Sequence, residues 1–139
     1  MSRDYRVLPS LPAATLAVIA LGGAIGAVAR YGLASAFPAP PAGFPCATLA
    51  INVTGCLLIG VVNAFIARDR VRSFLGPGVL GGFTTFSTYI VGMQSELAAG
   101  RPRMALIYGA ATAAAALAAA WAGTRAGAAV AGAVRGDAR

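Results

Sequence analysis

Residues Gly76–Tyr89 read GPGVLGGFTTFSTY and lie inside an apolar run from about Phe74 to Leu97. Pro77 suits a helix start, because its missing N–H is not needed in a first turn. Gly81 and Gly82 each disfavour helix by roughly 1 kcal/mol relative to alanine. Thr84, Thr85 and Thr88 are β-branched, and their hydroxyls compete for local carbonyls. Together these residues predict a break or unwound turn near Gly81–Thr85. Irregular backbone at membrane depth survives only where protein buries it or where it lines a cavity. The carbonyls that such a break frees need a partner, and a cation is one candidate.

The rest of the chain has the hydropathy of a membrane protein. Three further apolar runs extend from about Leu11 to Phe37, Pro45 to Ala67 and Met104 to Trp121. A hydrocarbon core of ~30 Å needs about 20 helical residues, so each of the four runs is long enough to span it. The connections are short: a proline-rich stretch from Phe37 to Pro45, RDRVRS from Arg68 to Ser73, and AAGRPR from Ala98 to Arg103. The expectation is a single all-α domain over residues 1–139, a polytopic membrane protein with four spans. Glycines and Arg30 within the first run fit a cleaved signal peptide poorly.

Charge supports this reading. Only 11% of the 139 residues are charged, against 58% hydrophobic, and a soluble domain carries about 25% charged residues. The net charge is +7 and every basic residue is arginine. These arginines flank apolar runs, which points to a membrane surface rather than nucleic acid. Arg3, Arg6, Arg68, Arg70, Arg72, Arg125, Arg135 and Arg139 fall on one side of a four-span topology, and Arg30, Arg101 and Arg103 on the other. The positive-inside rule therefore puts both termini in the cytoplasm. With no histidine or lysine and four acids, Asp4, Asp69, Glu96 and Asp137, enzyme chemistry has little to work with. Cys46 and Cys56 lack metal-type spacing and read as small core residues.

Gly22, Gly26 and Arg30 recur at four-residue steps, on one helical face. The GxxxG pair lets another helix approach closely. Arg30 has two open readings: snorkelling to headgroups, or facing a water-filled vestibule where it draws anions. Asn52 lies inside the second run, and an amide there faces protein or water, as interhelical glue or as part of a polar path. Asn63, eleven residues on, returns to nearly the same face. Phe83, Phe86 and Tyr89 recur at three-residue steps. They read either as a packing stripe or as ring edges that solvate a small anion beside Ser87, Thr88 and Asn52. No fixed positive charge sits among these groups, as a conduction path needs if it is not to trap its ion.

Three ordered blocks, GGAIGAVARY (22–31), TLAINVTGCLLIG (48–60) and GGFTTFSTY (81–89), resemble the signature motifs of the Fluc (CrcB) fluoride channels. The resemblance implies a dimer of four-helix subunits inserted antiparallel, with two fluoride pores at the interface. It implies that Asn52 is a pore-lining amide and that Phe86 and Tyr89 take the places of two pore phenylalanines. Ser87 and Thr88 belong to the same hydroxyl string, and Tyr108 and Thr112 match a polar track on the fourth helix. Arg30 would sit at the vestibule. Backbone carbonyls of Gly81 and Thr84 would hold a structural sodium ion on the dimer axis. The chain departs from the pattern at Tyr89, which adds a hydroxyl, and at Gly92, where the family often has an acid.

The implied activity is passive, selective export of fluoride across the cytoplasmic membrane, which lowers fluoride toxicity. The arginine bias implies one main orientation, with either a second copy or an oppositely oriented homologue as partner. Two other readings compete. A small four-helix drug–proton exchanger needs a carboxylate central in a span, and none of the four acids is so placed. A non-transporting membrane subunit would leave the broken third segment without a purpose.

Overall fold

The computed structural model describes residues 12–38 and 43–136, with side chains as far as Val134. The arginines at 3, 6 and 139, the side chain of Arg135, the acids Asp4 and Asp137, and Leu11 lie outside the described residues. Helix α1 spans Ala13–Ala36, directly after Pro12, and α2 spans Cys46–Phe65, directly after Pro45. A third segment begins with α3, Asp69–Ser73, and runs without interruption into a π-helical stretch, Phe74–Leu80, and a last turn, α4, Gly81–Phe83. The chain then breaks and restarts as α5, Ser87–Ala98. Helix α6 spans Pro102–Gly136. Three of these helices, α1, α2 and α6, are each long and apolar enough to cross a membrane.

The structure corrects several boundaries. The RDRVRS connection is mostly helical, so Pro77 sits inside the third segment rather than at its start. A wide π turn accommodates a residue without an N–H donor, which a tight α turn tolerates poorly. Gly81 and Gly82 remain helical, and the break falls at 84–86. Helix α6 does not fade at Trp121 but continues for 35 residues in all. Alanine has the highest helix propensity, and Gly123 and Gly127 beyond Trp121 are packed against α2.

Helix crossings in this protein are backbone against backbone. A methyl at Gly22 would stand 2.6 Å from the Phe74 carbonyl oxygen, and one at Gly26 would overlap the Val79 carbonyl. From the other side, a methyl at Gly82 would overlap the Gly23 carbonyl. The GxxxG face of α1 is therefore pressed onto the π-helical stretch and α4. A second crossing joins α2 to α6. There a methyl at Gly60 would overlap the Ala120 carbonyl, and one at Gly123 the Leu57 carbonyl. Lipid tails are as apolar as leucine, so close packing of this kind, rather than burial of apolar side chains, holds membrane helices together.

The exposure pattern agrees. The buried interior holds Thr48, Asn52, Thr112 and glycines beside a few apolar residues, while Leu21, Val28, Leu106, Leu117 and many similar side chains face outward. That inverts the soluble pattern. Cys46 is exposed and Cys56 half-buried, both as free thiols, so the core reading fails for Cys46. At the α5–α6 turn, Gly100 (φ 71°) ends α5 and Arg101 grips the buried Glu96 carboxylate at 2.7 and 3.1 Å. Near the other end of α6, Arg125 lies over the Trp121 ring at 5.0 Å.

Gly26→Ala forces a methyl into the Val79 carbonyl and should destabilise the fold by roughly 3 kcal/mol. Gly32→Ala meets nothing within 4 Å and should be neutral or stabilising by up to ~1 kcal/mol. Thermal unfolding of both variants in detergent checks the contrast.

Candidate functional site

At Thr84 the backbone turns extended (φ −72°, ψ 158°), and the helical ladder stops. A peptide group left without partners inside a membrane costs several kcal/mol, or roughly the whole stability of a small fold. Several of the polar groups here have substitute partners. Thr84 turns its hydroxyl back onto the Leu80 carbonyl at 3.0 Å, closing the incoming half. The Nε of Arg30 donates to the Gly82 carbonyl at 3.2 Å, a cation at the negative end of that half-helix. The Thr85 hydroxyl accepts from the Thr88 N–H at 3.2 Å and donates to the Thr88 hydroxyl at 3.1 Å, starting α5.

The peptide group at Thr85 is held from another helix. Asn52 Nδ2 donates to the Thr85 carbonyl at 2.9 Å, and the Thr85 N–H donates to Asn52 Oδ1 at 2.8 Å. A side-chain amide offers a donor and an acceptor at the spacing of a peptide, and no hydroxyl or charged group does. Gly55, less than one turn further along α2, makes room for the Thr84 methyl, which a β-carbon there would overlap.

Beside the clasp opens a cleft of about 300 Å3. Asn52 and Cys56 line it from α2, Thr84, Thr85, Phe86 and Tyr89 from the break and α5, and Thr112, Ala113 and Ala116 from α6. None of these side chains is charged. Phe86 is 75% exposed. Its ring is 5.7 Å from that of Tyr89, which is 5.6 Å from that of Tyr108, which meets Phe44 edge-on at 5.2 Å. Tyr108 is fully buried and Thr112 nearly so, yet neither hydroxyl has a hydrogen-bond partner among the described residues. Thr48 and Thr112 both flank the Tyr108 hydroxyl. An unpaired buried hydroxyl costs roughly 1–3 kcal/mol, so these groups mark a place suited to a small polar guest.

Of the residues singled out from the sequence, Asn52, Phe86, Tyr89 and Thr112 meet at the cleft, and Thr84 joins them. Tyr108 stands behind Tyr89. Ser87 and Thr88 do not line the cleft; both are exposed on the first turn of α5, within hydrogen-bond distance of the Thr85 hydroxyl. Phe83 lies before the break, which interrupts the three-residue stripe. Asn63 is exposed and outside the cleft. The Tyr89 hydroxyl finds its partner in the Gly109 carbonyl, at 3.0 Å. At Gly92 a methyl would stand 2.9 Å from the Tyr108 ring, so this position has no room for an acid.

Sequence reasoning missed the roles of Thr85, Thr48 and Cys56. Thr48 and Cys56 flank Asn52 at four-residue steps, which is a legible signal. Gly81, exposed, and Thr84 close the carbonyl end of the π-helical half. Neutral backbone oxygens at the negative end of a half-helix are a donor set that fits a hard monovalent cation.

A family model described as "CrcB-like protein, Camphor Resistance (CrcB)" matches residues 17–124. Among characterised relatives, the chain is 52% identical over 105 residues to the fluoride-specific ion channel FluC 2 of Streptomyces avermitilis, covering 72% of this chain and 66% of that protein. It is 49% identical over 108 residues to FluC 1 of Streptomyces coelicolor, covering 74% and 70%. It is 45% identical over 120 residues to FluC 2 of Nocardia farcinica, covering 83% and 85%. The family-model match runs through the glycine face of α1, the Asn52 clasp, the break and most of α6, and the chain belongs to the CrcB-like protein family.

Proposed function

We propose that this chain forms a passive, fluoride-selective channel that exports fluoride across the cytoplasmic membrane and so lowers its toxicity. The observation that carries this reading is the cleft at the helix break: donors without charge, bounded by an exposed ring. The relatives, which are fluoride-specific ion channels by name, point the same way. Fluoride is small and tightly hydrated, so a path for it must replace water with donors at close range. The Asn52 amide uses one Nδ2 hydrogen on Thr85 and retains a second. The edges of Phe86 and Tyr89 are positive. The unpaired hydroxyls of Tyr108 and Thr112 continue the track, with Ser87 and Thr88 at its outer end and Arg30 at the vestibule. Neutral donors offer affinity without trapping.

In this reading all four segments cross the membrane, with the broken third running from α3 through α5. The exposed Phe86 and the outward apolar face of the subunit support pairing with an antiparallel partner, either a second copy or a homologue. A sodium ion on the dimer axis would be held by the carbonyls of Gly81 and Thr84. One chain supplies only part of a coordination shell, and the exposure of Gly81 leaves the remainder to the partner. Such an ion would neutralise the carbonyl ends of two facing half-helices.

Liposomes carrying the purified protein, with or without a homologous partner, should release fluoride into a fluoride electrode chamber faster than empty vesicles; equal rates would end the proposal. Asn52→Asp places a repelling charge in the path and removes the donor to Thr85, so efflux should fall by at least about 100-fold, the effect of roughly 3 kcal/mol. Phe86→Ile is the cleaner variant. Its ring is exposed in the subunit, so folding in detergent should persist while efflux drops.

The arginine asymmetry supports one main orientation with both termini cytoplasmic. Reporter fusions at the C-terminus should therefore give signal from the cytoplasmic side alone. Equal signal from both sides would show dual insertion and remove the case for a fixed orientation.

A further inference from the structure

Two tyrosines and two glycines interlock α5 and α6. Tyr89 of α5 reaches across to Gly109 of α6, donating its O–H to the carbonyl at 3.0 Å. A methyl on Gly109 would stand 3.4 Å from that hydroxyl and 2.8 Å from the Met93 methyl. In the opposite direction, Tyr108 of α6 reaches α5 at Gly92, where a methyl would stand 2.9 Å from its ring. The Tyr108 ring thus occupies space left by Gly92, whereas the space beside Gly109 is filled by Met93, with the Tyr89 hydroxyl at ordinary contact distance.

The two rings are held differently. Tyr108 is fully buried and fixed by packing, with Phe44 edge-on against it at 89°. Tyr89 is half-buried, and its outer neighbour Phe86 is 75% exposed, which gives little to hold it. Its directional restraint is the hydrogen bond to Gly109. That carbonyl lies inside α6, and a carbonyl has a second lone pair beyond the one the helix uses. Helix α6 does not need the bond, so the effect of the bond falls on the ring.

We infer that Tyr89 is a positioning residue for ion discrimination: its hydroxyl, anchored on the Gly109 carbonyl, fixes the tilt of a ring in the wall of the path. The inference rests on the channel reading given above. A held ring keeps the path narrow and pre-formed, and a larger halide passes only when the ring yields. One neutral hydrogen bond biases such an orientation by about fivefold.

The test is efflux of fluoride and of chloride from liposomes carrying wild-type protein, Tyr89→Phe, Gly109→Ala and the double variant. Tyr89→Phe keeps the ring and loses the anchor, so the fluoride-to-chloride ratio should fall by about fivefold. Gly109→Ala crowds Met93 and leaves the Tyr89 hydroxyl at ordinary contact distance, so it serves as the packing control: its effect on the ratio should be smaller than that of Tyr89→Phe and should add to it in the double variant. An unchanged ratio in Tyr89→Phe overturns the inference, while wild-type fluoride efflux leaves the channel reading standing. A loss in Gly109→Ala as large as that in Tyr89→Phe also overturns it, because it assigns discrimination to the packing of α5 on α6 and not to the hydroxyl anchor. Absence of fluoride efflux from the wild type overturns the channel reading, and this inference with it.

Discussion

The pairing of the Asn52 amide with the Thr85 peptide group is the contact on which the rest of the site depends. In hydrocarbon an unsatisfied backbone group has no water to turn to. A helix that stops at Thr84 therefore persists only if something else completes its ladder. Asn52 does this with a donor and an acceptor at 2.9 and 2.8 Å. Once the peptide is satisfied, Thr85 is free to start α5 with its hydroxyl, and Phe86 can turn outward. The cleft is a consequence of the break, and the break is a consequence of the clasp.

The clasp in turn requires that helices lie unusually close. Two glycine-lined crossings supply this closeness. Helix α1 presses on the π-helical half through Gly22 and Gly26, and α6 presses on α2 through Gly123 and Gly60. The first crossing fixes the incoming half of the broken segment, and the second fixes the helix that carries Asn52. Gly55 then admits the Thr84 side chain between them. Large apolar side chains contribute little to this interior and are turned outward, as the absence of a hydrophobic driving force between helices in lipid predicts.

Much of this was legible in the sequence. Length and hydropathy gave the three long apolar helices α1, α2 and α6, because bilayer thickness leaves few choices. The four-residue step of Gly22, Gly26 and Arg30 gave the face of α1 correctly, and Arg30 is bonded to Gly82. The break was legible as an event but displaced in position. Propensity marks Gly81 and Gly82 as weak, yet their lack of side chains serves close packing and the helix runs through them. The partners of Thr85 and of the Tyr89 hydroxyl were not legible. They lie 33 and 20 residues away, and periodicity within one helix carries no information about register between two. The extent of α6 was misread because alanine and glycine look like a fading signal in hydropathy. On a packed helix they are respectively a strong former and a contact point.

The distribution of charge ties the fold to the chemistry. Glu96 is buried yet gripped by Arg101 at the α5–α6 turn, and Arg30 is engaged with the Gly82 carbonyl. Neither is among the residues lining the cleft. The lining itself holds an amide, hydroxyls, a thiol and rings. In a low-dielectric interior a single fixed charge would dominate the potential and bind an oppositely charged ion too tightly to release it. Neutral donors spread over several residues give a shallower well. The hydroxyls of Tyr108 and Thr112, neighbours of one another without a well-formed hydrogen bond, extend that arrangement inward, where such donors are a cost to stability that an anion would relieve. Buried hydroxyls kept free of fixed charge, with Arg30 and Glu96 engaged elsewhere, are the arrangement that suits a small negative guest.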